Sequence, residues 1–198
     1  WLPRGFILVS TNYRLLPDAA PLEQARDVAR AVARTQALAT EWGGDPERVV
    51  LMGHSAGAHL VALLNANPAE ALALGARPWR GAVALDSAAM DIRPIMEARH
   101  PRFYDKAFGN VPSNWDRVSP LRQLVSGAPP LLAVCSSQRS DSCRQAEGLQ
   151  ARAQTLGVRI EVQPQDLSHG EINGRLGLPG PYTAAVTAFV DSLLPAQP

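Results

Sequence analysis

VVLMGHSAGAHL, residues 49–60, changes character in mid-stretch. An apolar run, VVLM, ends at Gly53, and beyond Ser55 the spacing turns helical. A serine near a helix start has an ordinary explanation, because its hydroxyl caps free N–H groups. The GHSAG at 53–57 offers a second one. G-x-S-x-G between a buried strand and a helix is the sharp turn that exposes a nucleophilic serine. Glycines at 53 and 57 would let strand and helix approach closely. The helix dipole would favour an oxyanion formed at Ser55, and the backbone N–H of Ala56 would be one donor to it. A buried strand before the motif and a helix after it favour the nucleophile over the cap.

The same alternation continues along the chain. FILVST at 6–11 reads as a buried strand. Residues 21–42 carry Leu22, Ala25, Val28, Ala29 and Val32 at helical spacing behind Pro21. Further strands are expected at 48–53, 81–86, 130–135 and 159–163. Helices are expected at 55–66, 142–156 and 181–194. Apolar strands alternating with helices predict an α/β three-layer sandwich, a mostly parallel sheet of about five strands with helices on both faces. Ligands of such sheets bind at the carboxyl ends of the strands. Residues 88–129 break the rhythm with aromatic, Met, Pro and Arg residues, and are expected to be an insertion over that edge of a single domain spanning 1–198.

A length of 198 residues suits one domain with a full core. A net charge of +1 gives no basis for a nucleic-acid partner, and no apolar run is long enough to span a bilayer. Cys135 and Cys143 lack CxxC spacing, so neither a zinc nor a CxxC redox site is expected, and no metal or cofactor is called for. They bracket a short polar loop. A disulfide and two free thiols both fit, with the disulfide favoured. If formed, it favours an extracytoplasmic compartment, periplasmic or secreted.

A serine hydroxyl needs a base. Of the four histidines, His54 lies inside the turn and is expected to point away from Ser55. His59 sits on the helix that Ser55 begins and cannot reach forward, and His100 falls in the insertion. His169, in QDLSHGEIN after the last strand, is the eligible base. The orienting carboxylate should follow a strand at the same edge. Asp141, after the fourth strand, is preferred. Asp86, ending the third, is the main rival, and Asp166 is read as a loop support. The order Ser55, Asp141, His169 matches the order expected of this motif.

With these residues placed, the chain resembles the alpha/beta-hydrolase superfamily, in particular carboxylesterases related to hormone-sensitive lipase and feruloyl esterases. The resemblance rests on RGFILVSTNYRLLPDAAP (4–21), GGDPERVVLMGHSAGAHL (43–60) and FYDKAFGNVPSNWDRVSPL (103–121). It implies hydrolysis of small-molecule carboxylic esters through an acyl-enzyme without a cofactor, using Ser55, Asp141 and His169. Those families carry an HGGG-type segment, with further oxyanion donors, upstream of the NYRL strand. That segment is not in WLPRGF or after it, and a piece of a longer protein is expected rather than a minimal hydrolase. A formamidase or peptidase using the same triad, or a non-catalytic module on this scaffold, are the alternatives.

Other residues read more plainly. Arg14 is expected to pair with a local carboxylate such as Asp18 or Asp91 rather than with substrate. Phe103, Tyr104, Phe108 and Trp115 fit either a substrate pocket or packing within the insertion. Glu171 and Asn173 are expected to fix the loop around His169.

Overall fold

A computed structural model describes residues 1–194. Residues 195–198, the end of the expected domain range, lie outside the described residues.

Four strands form a parallel sheet in the order β1-β2-β3-β4 among the described residues: β1 Val50–His54, β2 Gly81–Leu85, β3 Leu131–Ser136 and β4 Ile160–Gln165. Helix α1 is Pro21–Leu38, extended by a 3-10 turn at Ala39–Trp42. Helix α2, Ala56–Ala66, and the short α3, Ala69–Ala73, connect β1 to β2. Four short helices lie between β2 and β3: α4 Ile92–Glu97, α5 Arg102–Phe108, α6 Pro112–Arg117 and α7 Pro120–Gln123. Helix α8, Ser142–Leu156, joins β3 to β4. Helices α9, His169–Arg175, and α10, Pro181–Leu193, follow.

The two-residue period of the strands explains the layers. On β2, Ala82 and Ala84 pack with α1, α2 and α8, while Val83 and Leu85 turn to the other face, toward Val186, Phe189 and Val190 of α10. Both faces are apolar because helices cover both. Small alanines on one face let α2, buried from Ala58 onward, lie close: Leu60, Val61, Leu63 and Leu64 are each at most 6% exposed.

One expected strand is not in the sheet. Residues 6–11 pair with no strand, and Ile7, Leu8 and Val9 stand 46%, 67% and 42% exposed. A strand is held by its neighbour's hydrogen bonds, and here a cavity of about 730 Å³ separates Phe6–Val9 from Val50, Leu51 and Met52 of β1. Among the described residues the sheet therefore has four strands, against about five expected, and β1 is its edge. Arg14 pairs with a local carboxylate, as expected, though with a different one. Its guanidinium is bidentate on Asp27, at 2.8 Å to each carboxylate oxygen, rather than paired with Asp18 or Asp91. Asp91 instead receives Arg122 at 2.7 Å.

Among the described residues, no helix is long and apolar enough to cross a membrane. No group of three or more His, Cys, Asp or Glu there could hold a metal ion.

Candidate active site

Ser55 stands at the junction of β1 and α2 with φ 58° and ψ −117°, and its side chain makes no capping hydrogen bond. Few L-residues adopt such a backbone, and a capping serine has no need of it. The turn depends on Gly53: a Cβ there would come 2.3 Å from the carbonyl oxygen of Gly57. At Gly57 itself an added Cβ meets nothing within 4 Å, so only the first glycine is demanded by space. Ser55 N–H donates to Leu85 O at 3.0 Å, tying the turn to the neighbouring strand.

His169 begins α9 just beyond β4. Ser168 before it accepts from Glu171 N–H, and Glu171 accepts from Ser168 N–H, a reciprocal capping box that holds the histidine at the helix's first position. Glu171 thus fixes the loop as expected, while Asn173 lies exposed on the same helix. Nε2 of His169 is 3.0 Å from Ser55 Oγ.

The carboxylate beside the histidine is Asp86, not Asp141. Asp86 Oδ2 lies 2.5 Å from His169 Nδ1. Asp141 is the N-cap residue of α8, 44% exposed at its side chain, and its nearest cation is Arg139 at 3.8 Å. The reason is register. Leu85 pairs with His54, so the residue after β2 emerges beside the residue after β1. Asp86 is that residue, and it also adopts a positive φ of 56°. Asp141 comes only after a further loop beyond the end of β3, and its side chain faces Arg139.

Asp86 is fully buried and surrounded by donors. Ser136 N–H reaches Oδ1 at 2.8 Å, Ser142 donates its hydroxyl to the same oxygen, and Arg139 Nη1 reaches Oδ2 at 2.8 Å. Burial is the largest influence on this carboxyl and acts to raise its pKa. The hydrogen bonds from Ser142, Ser136, His169 and Arg139 outweigh it together and bring it down to about 2. An ionised Asp86 can only accept, so Nδ1 of His169 carries the proton and Nε2 presents its lone pair toward Ser55. Three of the four donors lie in residues 136–142. Cys135 and Cys143, joined in a disulfide, bound that segment.

His54 does more than point away from the serine. Its ring lies on that of His169, centroids 4.4 Å apart, and Nε2 is 2.9 Å from the His169 carbonyl oxygen, to which it can donate. Burial holds its pKa below the ordinary value. His59 is buried against Val118 O at 2.7 Å, and His100 pairs with Asp105 in the segment between β2 and β3. Asp166 accepts from Gln138, consistent with a loop support. Trp115 and Phe108 are buried in packing, whereas Phe103 is 60% exposed and tilted against Tyr104, centroids 4.2 Å apart. The large cavity beside β1 is lined by none of Ser55, Asp86 and His169.

The signal for Asp86 was present in GAVALD: a carboxylate closing an uninterrupted apolar strand has no water to face and needs a built partner.

Comparison with known proteins agrees with this architecture. The family model described as BD-FAE matches residues 1–77. A truncated carbohydrate esterase from gut microbiota superposes with a TM-score of 0.77 at 18% identity, covering 93% of this chain and 73% of that one. An acetyl ester-xyloside bifunctional hydrolase from Caldicellulosiruptor lactoaceticus gives 0.75 at 19% identity, over 92% and 70%. The chain has the alpha/beta-hydrolase fold. Among curated sequences, the chain is 30% identical over 141 residues to Esterase LipQ of Mycobacterium tuberculosis, covering 66% of the chain and 34% of that protein. It spans about a third of the length of the longer mycobacterial relatives it matches.

Proposed function

We propose that the protein is a serine hydrolase that cleaves carboxylic esters of small molecules through an acyl-enzyme. The observation that carries this reading is the unbroken line Asp86–His169–Ser55, with 2.5 Å and 3.0 Å between successive polar atoms. The esterase names of its relatives support the choice of substrate class.

In this reading Ser55 Oγ attacks the ester carbonyl while His169 Nε2 takes its proton. Asp86 keeps the imidazole in the required tautomer and stabilises the imidazolium. The tetrahedral oxyanion faces the N-terminus of α2, where Ala56 N–H, the first of the helix, has no acceptor within the helix itself. His169 then returns the proton to the leaving alcohol, and water, activated by the same base, releases the acid. Asp141 takes no direct part.

Reaction of the full-length protein with a fluorophosphonate, followed by peptide mass spectrometry, tests the assignment. An adduct on Ser55 that is lost in His169→Ala is expected, and a folded protein unlabelled at Ser55 would sink it. A panel of p-nitrophenyl esters, N-formyl amides and peptides separates an esterase from a formamidase or peptidase.

A further inference from the structure

Arg139 occupies a position that the triad reading does not explain. Its Nη1 is 2.8 Å from Asp86 Oδ2 and 3.0 Å from His169 Nδ1. Both nitrogens carry protons when Asp86 is ionised, so they do not bond to each other. They converge on one carboxylate oxygen. The guanidinium thus stands against the ring nitrogen pair that becomes cationic when His169 takes the serine proton. A cation there opposes that step, and it also draws on the charge that Asp86 offers the imidazolium. On its other side, Arg139 Nε lies 3.8 Å from Asp141 Oδ1. The segment that carries Arg139 is bounded by the Cys135–Cys143 bridge, and Ser136 and Ser142 within it hold the other oxygen of Asp86.

We propose that Arg139 is a positioning residue of the site: it shares Asp86 with His169, Asp141 sets how strongly it does so, and the pair fixes the acid-side limit of activity. The inference rests on the assignment of Ser55, His169 and Asp86 above. Asp141 thereby has a role at a distance, through the charge it lends to Arg139 rather than through the histidine.

Other charged and titratable groups are accounted for. His54, at the end of β1, faces the His169 ring directly. Tyr182 on α10 donates to Ile172 O at 2.9 Å and is pushed up to about 12 by burial and by Asp86, so it stays neutral. Tyr104 on α5 lies within electrostatic range of Asp141 and Arg139, and burial raises its pKa as well. On the histidine's own helix, Glu171 is paired with Arg175. Of these, only His54 lies against the His169 ring.

The experiment is the pH profile of kcat/KM for an activated ester, measured on the full-length protein and variants. In Arg139→Gln the acid limb moves up by about 0.5–1 pH unit, which lowers relative activity on that limb about three- to tenfold. In Asp141→Asn the guanidinium is less neutralised, so the limb moves down by about 0.3 unit and acid-side activity rises about twofold. Arg139→Lys keeps the charge and leaves the limb near its original place. Shifts of opposite sign, persisting in a His54→Gln background, support the proposal. A damaged loop would lower activity at every pH without moving the limb, so unmoved limbs, shifts of one sign, or shifts that vanish with His54 overturn it. Fluorophosphonate labelling separates the two levels: a labelled Ser55 with unmoved limbs defeats only the role of Arg139, whereas an unlabelled Ser55 defeats both readings.

Discussion

His169 Nδ1 and Asp86 Oδ2 meet at 2.5 Å although the residues are 83 positions apart. Asp86→Asn keeps the shape but removes the charge that selects the tautomer. We expect kcat for an activated ester to fall by about 10⁴-fold. Asp141→Asn, at a pH above the acid limb, should stay within about threefold of the unsubstituted protein. Steady-state kinetics on both variants decides between the carboxylates, and a collapse confined to Asp141→Asn would return the acid role to the loop after β3.

Gly53 and Gly57 look equivalent in GHSAG but are not equivalent in space. Gly53→Ala drives a methyl to 2.3 Å from Gly57 O, a backbone atom that cannot swing aside. A loss of about 3 kcal/mol or more is expected. Gly57→Ala enters open space within α2 and should lie within about 1 kcal/mol of the original, on the stabilising side. Urea midpoints measure both.

The Cys135–Cys143 bridge closes a ring across a sequence separation of 8. Replacing both cysteines with serine should cost about 2.5 kcal/mol through the entropy of the unfolded chain. It should cost activity as well, because the freed segment supplies Ser136, Arg139 and Ser142 to Asp86. An unchanged kcat after loss of the bridge would show that the strand and helix ends hold that cradle unaided.

His59 provides a stability test independent of the chemistry. It is buried, and burial holds its pKa below the ordinary value of 6.5, so the unfolded chain takes up the proton first. The stability this gives is complete above about pH 6.5 and is lost as the pH falls toward the folded pKa. His59→Gln retains a donor for Val118 O and cannot titrate. Its urea midpoint should fall less between about pH 7.5 and about pH 5 than that of the unsubstituted chain. Some slope should remain from His54, whose pKa burial also lowers.

The alternation of apolar strands and helices made the layers legible, and elimination among four histidines found His169. The acid was harder to place. Ser55, Asp86, His169 satisfies the same chain order as Ser55, Asp141, His169, and both carboxylates follow strands. What separates them is the pairing of β1 with β2, a non-local fact that periodicity does not carry. The same limit explains residues 6–11. FILVST has the composition of a strand, but strand formation belongs to pairs, and among the described residues no strand lies paired beside it.

Ser55 and Asp86 end neighbouring strands, and they are the described non-glycine residues with positive φ. An L side chain in such a conformation costs on the order of 1–3 kcal/mol, which glycine would avoid. At position 55 the exchange would sacrifice no capping bond. One route to a sturdier fold thus runs through the proposed nucleophile itself. A lineage freed from the need for chemistry would lose Ser55 to glycine before any core residue changed, so glycine in a relative's elbow would mark retirement.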